Sequence, residues 1–80
     1  MVKVGLRREA FDIAITRRNL SQKRLAERLH ISRSYLSEIV RGKRRPSAAI
    51  RERLLEHFQE YSFDDLFIIE RGGNGNKSDL

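Results

Sequence analysis

The sequence predicts an all-α domain, a compact bundle of about five short helices. Apolar residues recur at spacings of three and four along most of the chain, which is the period of one helical face. Four serines each stand just before such a segment, where a serine hydroxyl can cap a helix. They are Ser21, Ser32, Ser47 and Ser62. No alternating pattern long enough to build a sheet is visible.

The 80 residues suffice for one small domain, which we place at residues 1–70. Residues 71–80 contain three of the five glycines and no apolar side chain before Leu80. We therefore expect this end to be a disordered tail. The chain has no cysteine, which excludes disulfides, thiolate metal sites and thiol nucleophiles.

The first two helices follow from their apolar stripes and their ends. Helix one is predicted at roughly residues 6–18, and Asn19 suits the left-handed conformation of a C-terminal cap. Ser21 then caps the second helix. The inward residues of that helix are Leu25, Ala26 and Leu29.

The later helices are separated by a basic loop, residues 42–46, which we call the exit loop. The third helix begins at Ser32 and ends at Gly42, and Ser47 caps a fourth after the exit loop. A brief fifth helix follows Ser62, and we expect residues 68–69 to be extended. The predicted inward residues are Leu36, Ile39 and Val40 in the third helix and Ile50, Leu54, Leu55 and Phe58 in the fourth.

Positive charge is concentrated in the middle of the chain. Residues 22–46 contain eight basic and two acidic residues, whereas the rest of the chain contains nine of each. The net charge of +6 therefore belongs to the second and third helices and the exit loop. This pattern is typical of a surface that binds polyphosphate.

The second and third helices also have what a helix-turn-helix needs: apolar residues where the helices cross, a small residue at the closest approach and a tight turn. Leu25 and Leu29 can meet Leu36 and Ile39 at the crossing. Ala26 is the small residue, and Ile31 can close the turn from below.

These residues resemble the phage-repressor/Cro-type (XRE) helix-turn-helix family over roughly residues 6–67. The resemblance is carried by Leu20-Ser21-Gln22, Leu25-Ala26, Ile31-Ser32, Leu36-Ser37, Ile39, Arg41-Gly42-Lys43 and Pro46-Ser47. The combination is specific because the LSQ opening, the LA pair and the GK-x-x-P exit occur together at this spacing. The resemblance implies a lambda-repressor-like domain whose helix from Ser32 to Arg41 lies in the DNA major groove.

The resemblance also implies roles for individual residues. Four residues stand at positions that reach base edges in this family, namely Arg33, Ser34, Ser37 and Glu38. Those at or near phosphate-contacting positions are Gln22, Lys23, Ser32, Tyr35, Arg41, Lys43, Arg44 and Arg45. Arg33 can pair with guanine, and Glu38 either accepts a hydrogen bond from cytosine or repels non-target sites.

Two departures from the family pattern lead to further expectations. His30 stands at a turn position that is most often glycine, so we expect either a left-handed histidine or a slightly altered turn. Ile15 and Val40 stand where many members have an arginine and a glutamate. We expect these two apolar side chains to pack together in place of the buried ion pair.

Other chemistry finds little support in the residues. Ser34 and Ser37 have no activating base nearby in sequence, and His30 and His57 have no further ligands in a metal-binding pattern. We expect no catalytic activity, metal or cofactor. No signal peptide or membrane span is indicated, which predicts a cytoplasmic protein. The resemblance implies that the protein is encoded by a bacterium or a phage.

The leading hypothesis is a sequence-specific regulator, a repressor or a phage or mobile-element switch, that binds double-stranded DNA at a palindromic operator as a homodimer. The C-terminal apolar residues could contribute to the dimer interface. One alternative is an antitoxin-type protein that holds a partner through residues 58–70. Another is an architectural or recombination accessory protein. The sequence does not separate these three.

Overall fold

The computed structural model describes residues 2–71, in which five helices lie between two strands. In chain order the elements are β1 (Val2–Leu6), α1 (Arg8–Arg17), α2 (Gln22–Leu29), α3 (Arg33–Val40), α4 (Ala48–His57), α5 (Phe63–Leu66) and β2 (Phe67–Arg71). The predicted bundle of five short helices is confirmed. The prediction that no sheet would form is wrong, because the two strands pair.

β1 and β2 form an antiparallel two-stranded sheet, which we call the terminal ribbon (residues 2–6 and 67–71). Val4 lies opposite Ile69, and Leu6 lies opposite Phe67. Phe67 is fully buried, and Val4 and Leu6 pack against the core. Leu6 therefore ends a strand rather than beginning a helix, since its backbone pairs with a segment about 60 residues away in the chain.

The ribbon also changes the boundary of the predicted tail. Arg71, which we assigned to the tail, is the last residue of β2. The rest of that predicted disordered segment, residues 72–80, lies outside the described residues.

The four predicted serine caps and the left-handed Asn19 are confirmed. The hydroxyls of Ser21, Ser32, Ser47 and Ser62 accept hydrogen bonds from the backbone N–H three residues further on. Asn19 and His30 both have positive φ, 54° and 60°. His30 is thus the left-handed histidine of the first alternative, and Gly42 takes the same region at φ 79° after α3. His30 thus adopts the left-handed conformation that glycine takes most readily.

A single core is formed by side chains from every helix and from the start of β2. Its fully buried or nearly buried members are Phe11, Ala14, Leu25, Ala26, Leu29, Leu36, Ile39, Val40, Ile50, Leu54, Phe58, Leu66 and Phe67. Ile15 is half-buried against this core, to which Val40 belongs. Their direct contact with each other stays a prediction.

Two arginines tie the elements together through backbone carbonyls. Arg53 of α4 donates to the Leu29 carbonyl oxygen at 2.7 Å, which satisfies one of the free acceptors at the end of α2. Arg7 donates through Nε to the carbonyl oxygens of Asp64 and Phe67 at 2.9 and 3.1 Å. The first tie holds α2 against α4, and the second holds the ribbon against α5.

Candidate nucleic-acid interface

The outward face of α3 brings the four predicted base-reading residues together. Arg33 and Ser34 are exposed, and Ser37 and Glu38 are half-buried. With Arg41 they line one open depression of about 390 Å³. They share this face because Leu36, Ile39 and Val40 turn the opposite side of the helix into the core. The depression presents donors from arginine and serine beside a carboxylate acceptor, which is a mixture suited to base edges.

The starts of α2 and α3 are electrically unusual for helix starts. Lys23 and Arg24 lie in the first turn of α2, Arg33 is the first residue of α3, and neither first turn contains an acid. A cation at the positive end of the helix dipole costs about 0.3–1 kcal/mol. α5, by contrast, begins with Asp64 and Asp65 and has a capping box. Folding alone favours acidic residues at a helix start, as in α5. An anion lying across the starts of α2 and α3 would instead favour the basic residues found there.

The remaining residues predicted at phosphate positions lie at the helix starts, as Gln22, Lys23 and Ser32 do, or after the end of α3, as Arg41 and Lys43 do. Gln22 is half-buried and Lys23 is exposed. The Ser32 hydroxyl accepts from the Tyr35 backbone N–H at 3.0 Å, and its own proton can still be donated outward. Arg41 and Lys43 are exposed and make no ion pair within residues 2–71.

The other two exit-loop cations are already paired with carboxylates. Arg44 Nε lies 2.9 Å from Glu38 Oε1 on α3. Arg45 Nη1 lies 2.8 Å from Glu70 Oε1 on β2. Of the four loop and helix-end cations predicted at phosphate positions, half are therefore partly neutralised within the free chain.

Glu70 and Gly5 were missed by the sequence reasoning. A Cβ atom on Gly5 would lie only 3.3 Å from Arg45 Nη1, so the missing side chain leaves room for the guanidinium group to lie against the ribbon. The alternation of Val2, Val4 and Leu6 with polar or small residues is a strand signal that could have indicated β1. It is short, and nothing local identifies its partner.

His57 lies outside this face, and its surroundings lower its pKa. Burial, and then the positive charges of Arg18 and Arg28, lower its pKa. Its Nδ1 is buried and has no hydrogen-bond partner among the described residues. The Arg18 guanidinium also binds Glu60, with Nη2 at 2.7 Å from Oε1, and this hydrogen bond lowers the pKa of Glu60.

Two further findings concern other kinds of site. Among residues 2–71, no three histidine or carboxylate side chains come together in a way that could hold a metal ion. In the same part of the chain, no helix is both long enough and apolar enough to cross a membrane.

Comparison with known proteins bears on the same region. A family model described as helix-turn-helix matches residues 13–66, which include α2, α3 and the exit loop. A comparison with curated proteins and one with solved structures found no match. The matched segment covers more than half of the chain and contains the whole α3 face. The chain therefore belongs to the Cro-type (XRE) helix-turn-helix family of DNA-binding regulators.

Proposed function

We propose that the protein is a sequence-specific regulator that binds double-stranded DNA at a short operator in a bacterial cytoplasm, as a repressor or as a phage or mobile-element switch. The observation that carries this proposal is the depression formed by Arg33, Ser34, Ser37, Glu38 and Arg41, in which two arginines and two serines lie beside a carboxylate. A nonspecific binder needs the cations but not this mixture of donors and acceptors.

Each group has a role in the proposed complex. Arg33 donates two hydrogen bonds to a guanine, Ser34 and Ser37 contact neighbouring bases, and Glu38 accepts from a cytosine amino group. Phosphates lie across the starts of α2 and α3, where free N–H groups and cations face them. The register of the protein on the duplex is set by phosphate contacts from Gln22, Lys23, Ser32, Tyr35, Arg41, Lys43, Arg44 and Arg45.

A homodimer on a palindromic operator fits this proposal, since one α3 helix reads only a few base pairs. Two copies would place their α3 helices about 34–36 Å apart, one turn of DNA. The exposed apolar residues Val2, Ile68 and Ile69 on the ribbon are available for such an interface. Catalysis, a metal or a cofactor has no part in this function.

The decisive experiment selects an operator from random duplexes and then measures affinity against salt concentration. We expect the selected operator to bind at least about a thousandfold more tightly than random duplex, with a steep salt slope. Arg33→Ala should cost about 1–3 kcal/mol and relax one base position, whereas Lys43→Ala should weaken all sequences equally. Equal affinity for all duplexes would instead support an architectural role.

A further inference from the structure

The exit loop folds back onto Glu38 through the backbone as well as through a side chain. The backbone N–H groups of Lys43 and Arg44 both donate to the Glu38 carbonyl oxygen, at 2.8 and 3.2 Å. The carboxylate of the same residue accepts from Arg44 Nε at 2.9 Å. One residue of the base-reading face is thus held at both ends by the loop that follows the helix.

Arg44 is itself held in place by Tyr35. Its guanidinium carbon lies 5.3 Å from the centre of the Tyr35 ring, which is a cation–π distance. Tyr35 and Glu38 are three residues apart on α3 and therefore neighbours on one side of the helix. The planar guanidinium group bridges the ring and the carboxylate, so that its position is set by two contacts rather than one.

This arrangement leaves part of the carboxylate available. Only Oε1 of Glu38 has a side-chain partner within residues 2–71, and Oε2 has none there. An unpaired glutamate facing DNA would be repelled by phosphates and would lose rotamer freedom on binding a base. The arginine reduces both costs, since it compensates the charge and holds the rotamer before DNA arrives.

We propose that Arg44 is a positioning residue that aims Glu38 Oε2 at a base amino group, so that it determines base preference instead of serving only as a phosphate contact. This inference rests on the proposed function. Arg44 then has a different role from Lys43, its neighbour in the exit loop, although the two side chains carry the same charge.

The test compares Arg44→Ala, Arg44→Lys, Glu38→Ala and Lys43→Ala on the selected operator and on duplexes changed at each base position. Arg44→Ala should reduce discrimination among bases at one operator position by about tenfold or more. That position should be the same one at which Glu38→Ala relaxes the base preference. Arg44→Lys should keep the salt slope but lose this discrimination, because an ammonium group cannot bridge the ring and the carboxylate as a guanidinium does. Lys43→Ala is the matched control and should leave every base preference unchanged.

A double variant checks that Arg44 acts through Glu38. Once Glu38 is alanine, adding Arg44→Ala should cause no further loss of discrimination at that position. Circular dichroism and thermal unfolding verify that each variant is folded. We expect the variants to fold because the side chains of Arg44 and Glu38 are 57% and 38% exposed.

Failure of the Arg44 inference and failure of the proposed function give different results. If Arg44→Ala weakens all duplexes equally with base preference intact, Arg44 is a phosphate contact and the inference is wrong. If Glu38→Ala changes no preference, it is also wrong, while the regulator function stands. If the wild-type protein itself shows no preference among duplexes, the proposed function fails first.

Discussion

The helix-turn-helix and the terminal ribbon bury their apolar side chains to very different extents. Leu25 and Leu36, where α2 crosses α3, are fully buried. In the ribbon only the end next to α5 is covered, and Val2 and Ile69 are 60% and 54% exposed. The first region derives its stability from packing, whereas the ribbon is anchored to the rest of the domain at one end, by Phe67 and by the hydrogen bonds of Arg7.

The largest effect is expected at the helix crossing. Leu36→Ala should lower the free energy of unfolding by about 2–5 kcal/mol, because it leaves a cavity in the core. The control is Val2→Ala in the ribbon, which should change it by no more than about 0.5 kcal/mol. Urea unfolding measures both. Similar losses from the two variants would show that the ribbon supports the fold as much as the crossing does.

The next effect isolates the attachment of the ribbon. Arg7→Ala removes two hydrogen bonds to the carbonyl oxygens of Asp64 and Phe67 and should cost about 1–2 kcal/mol. Hydrogen exchange should become faster in β1 and β2 with little change in α2 and α3. Arg8→Ala is the control, since the one ion pair of Arg8 within residues 2–71 is an exposed 3.9 Å contact with Asp12. Faster exchange in all elements alike would mean that the two regions open together.

A smaller effect concerns the contact between the ribbon and the exit loop. Glu70→Gln releases Arg45 from its 2.8 Å partner and should raise affinity for every duplex by up to about fivefold, since exposed ion pairs are worth about 1 kcal/mol or less. Base preference should not change. Glu52→Gln removes the same charge from an exposed position on α4 and serves as the control. A fall in affinity would show that Glu70 helps to position Arg45 for DNA.

The smallest effect concerns one histidine beside the helix-turn-helix. Because burial lowers the pKa of His57, the unfolded chain binds more protons than the folded one as pH falls through about 6.5. Acidification from pH 7.5 to 5.5 should therefore reduce the melting temperature, and His57→Gln should reduce that dependence. The pKa of Glu60 is lowered by Arg18, so the stability that its ionised carboxylate contributes is lost only at more acidic pH. A wild-type melting temperature that is constant over this range would contradict the prediction.

Much of the candidate site could be predicted because its signals are local. A serine cap lies three residues from the N–H it binds, and an apolar stripe repeats within one or two turns. Arg33, Ser34, Ser37 and Glu38 share a face because α3 is a helix with its apolar side inward. Their roles toward DNA are proposals, but their common location follows from the helical period.

The contacts of the exit loop could not be predicted in the same way. Arg44 and Arg45 are adjacent and have the same side chain, yet one pairs with a helix six residues back and the other with a strand 25 residues ahead. Flexible charged side chains on a surface have several partners of similar energy available. Which partner is taken depends on where the folded elements lie.

The sequence by itself determined the five helices, four serine caps, the left-handed Asn19 and the basic face of the helix-turn-helix, because each depends on interactions within a few residues. It left open whether His30 would be left-handed, which the structure decided. The tertiary structure decided that residues 2–6 and 67–71 pair as a ribbon and that Glu38 and Glu70 hold the exit-loop arginines. Five-residue segments carry too little periodicity to define a strand, and neither segment can form its hydrogen bonds until the helices bring the ends of the domain together.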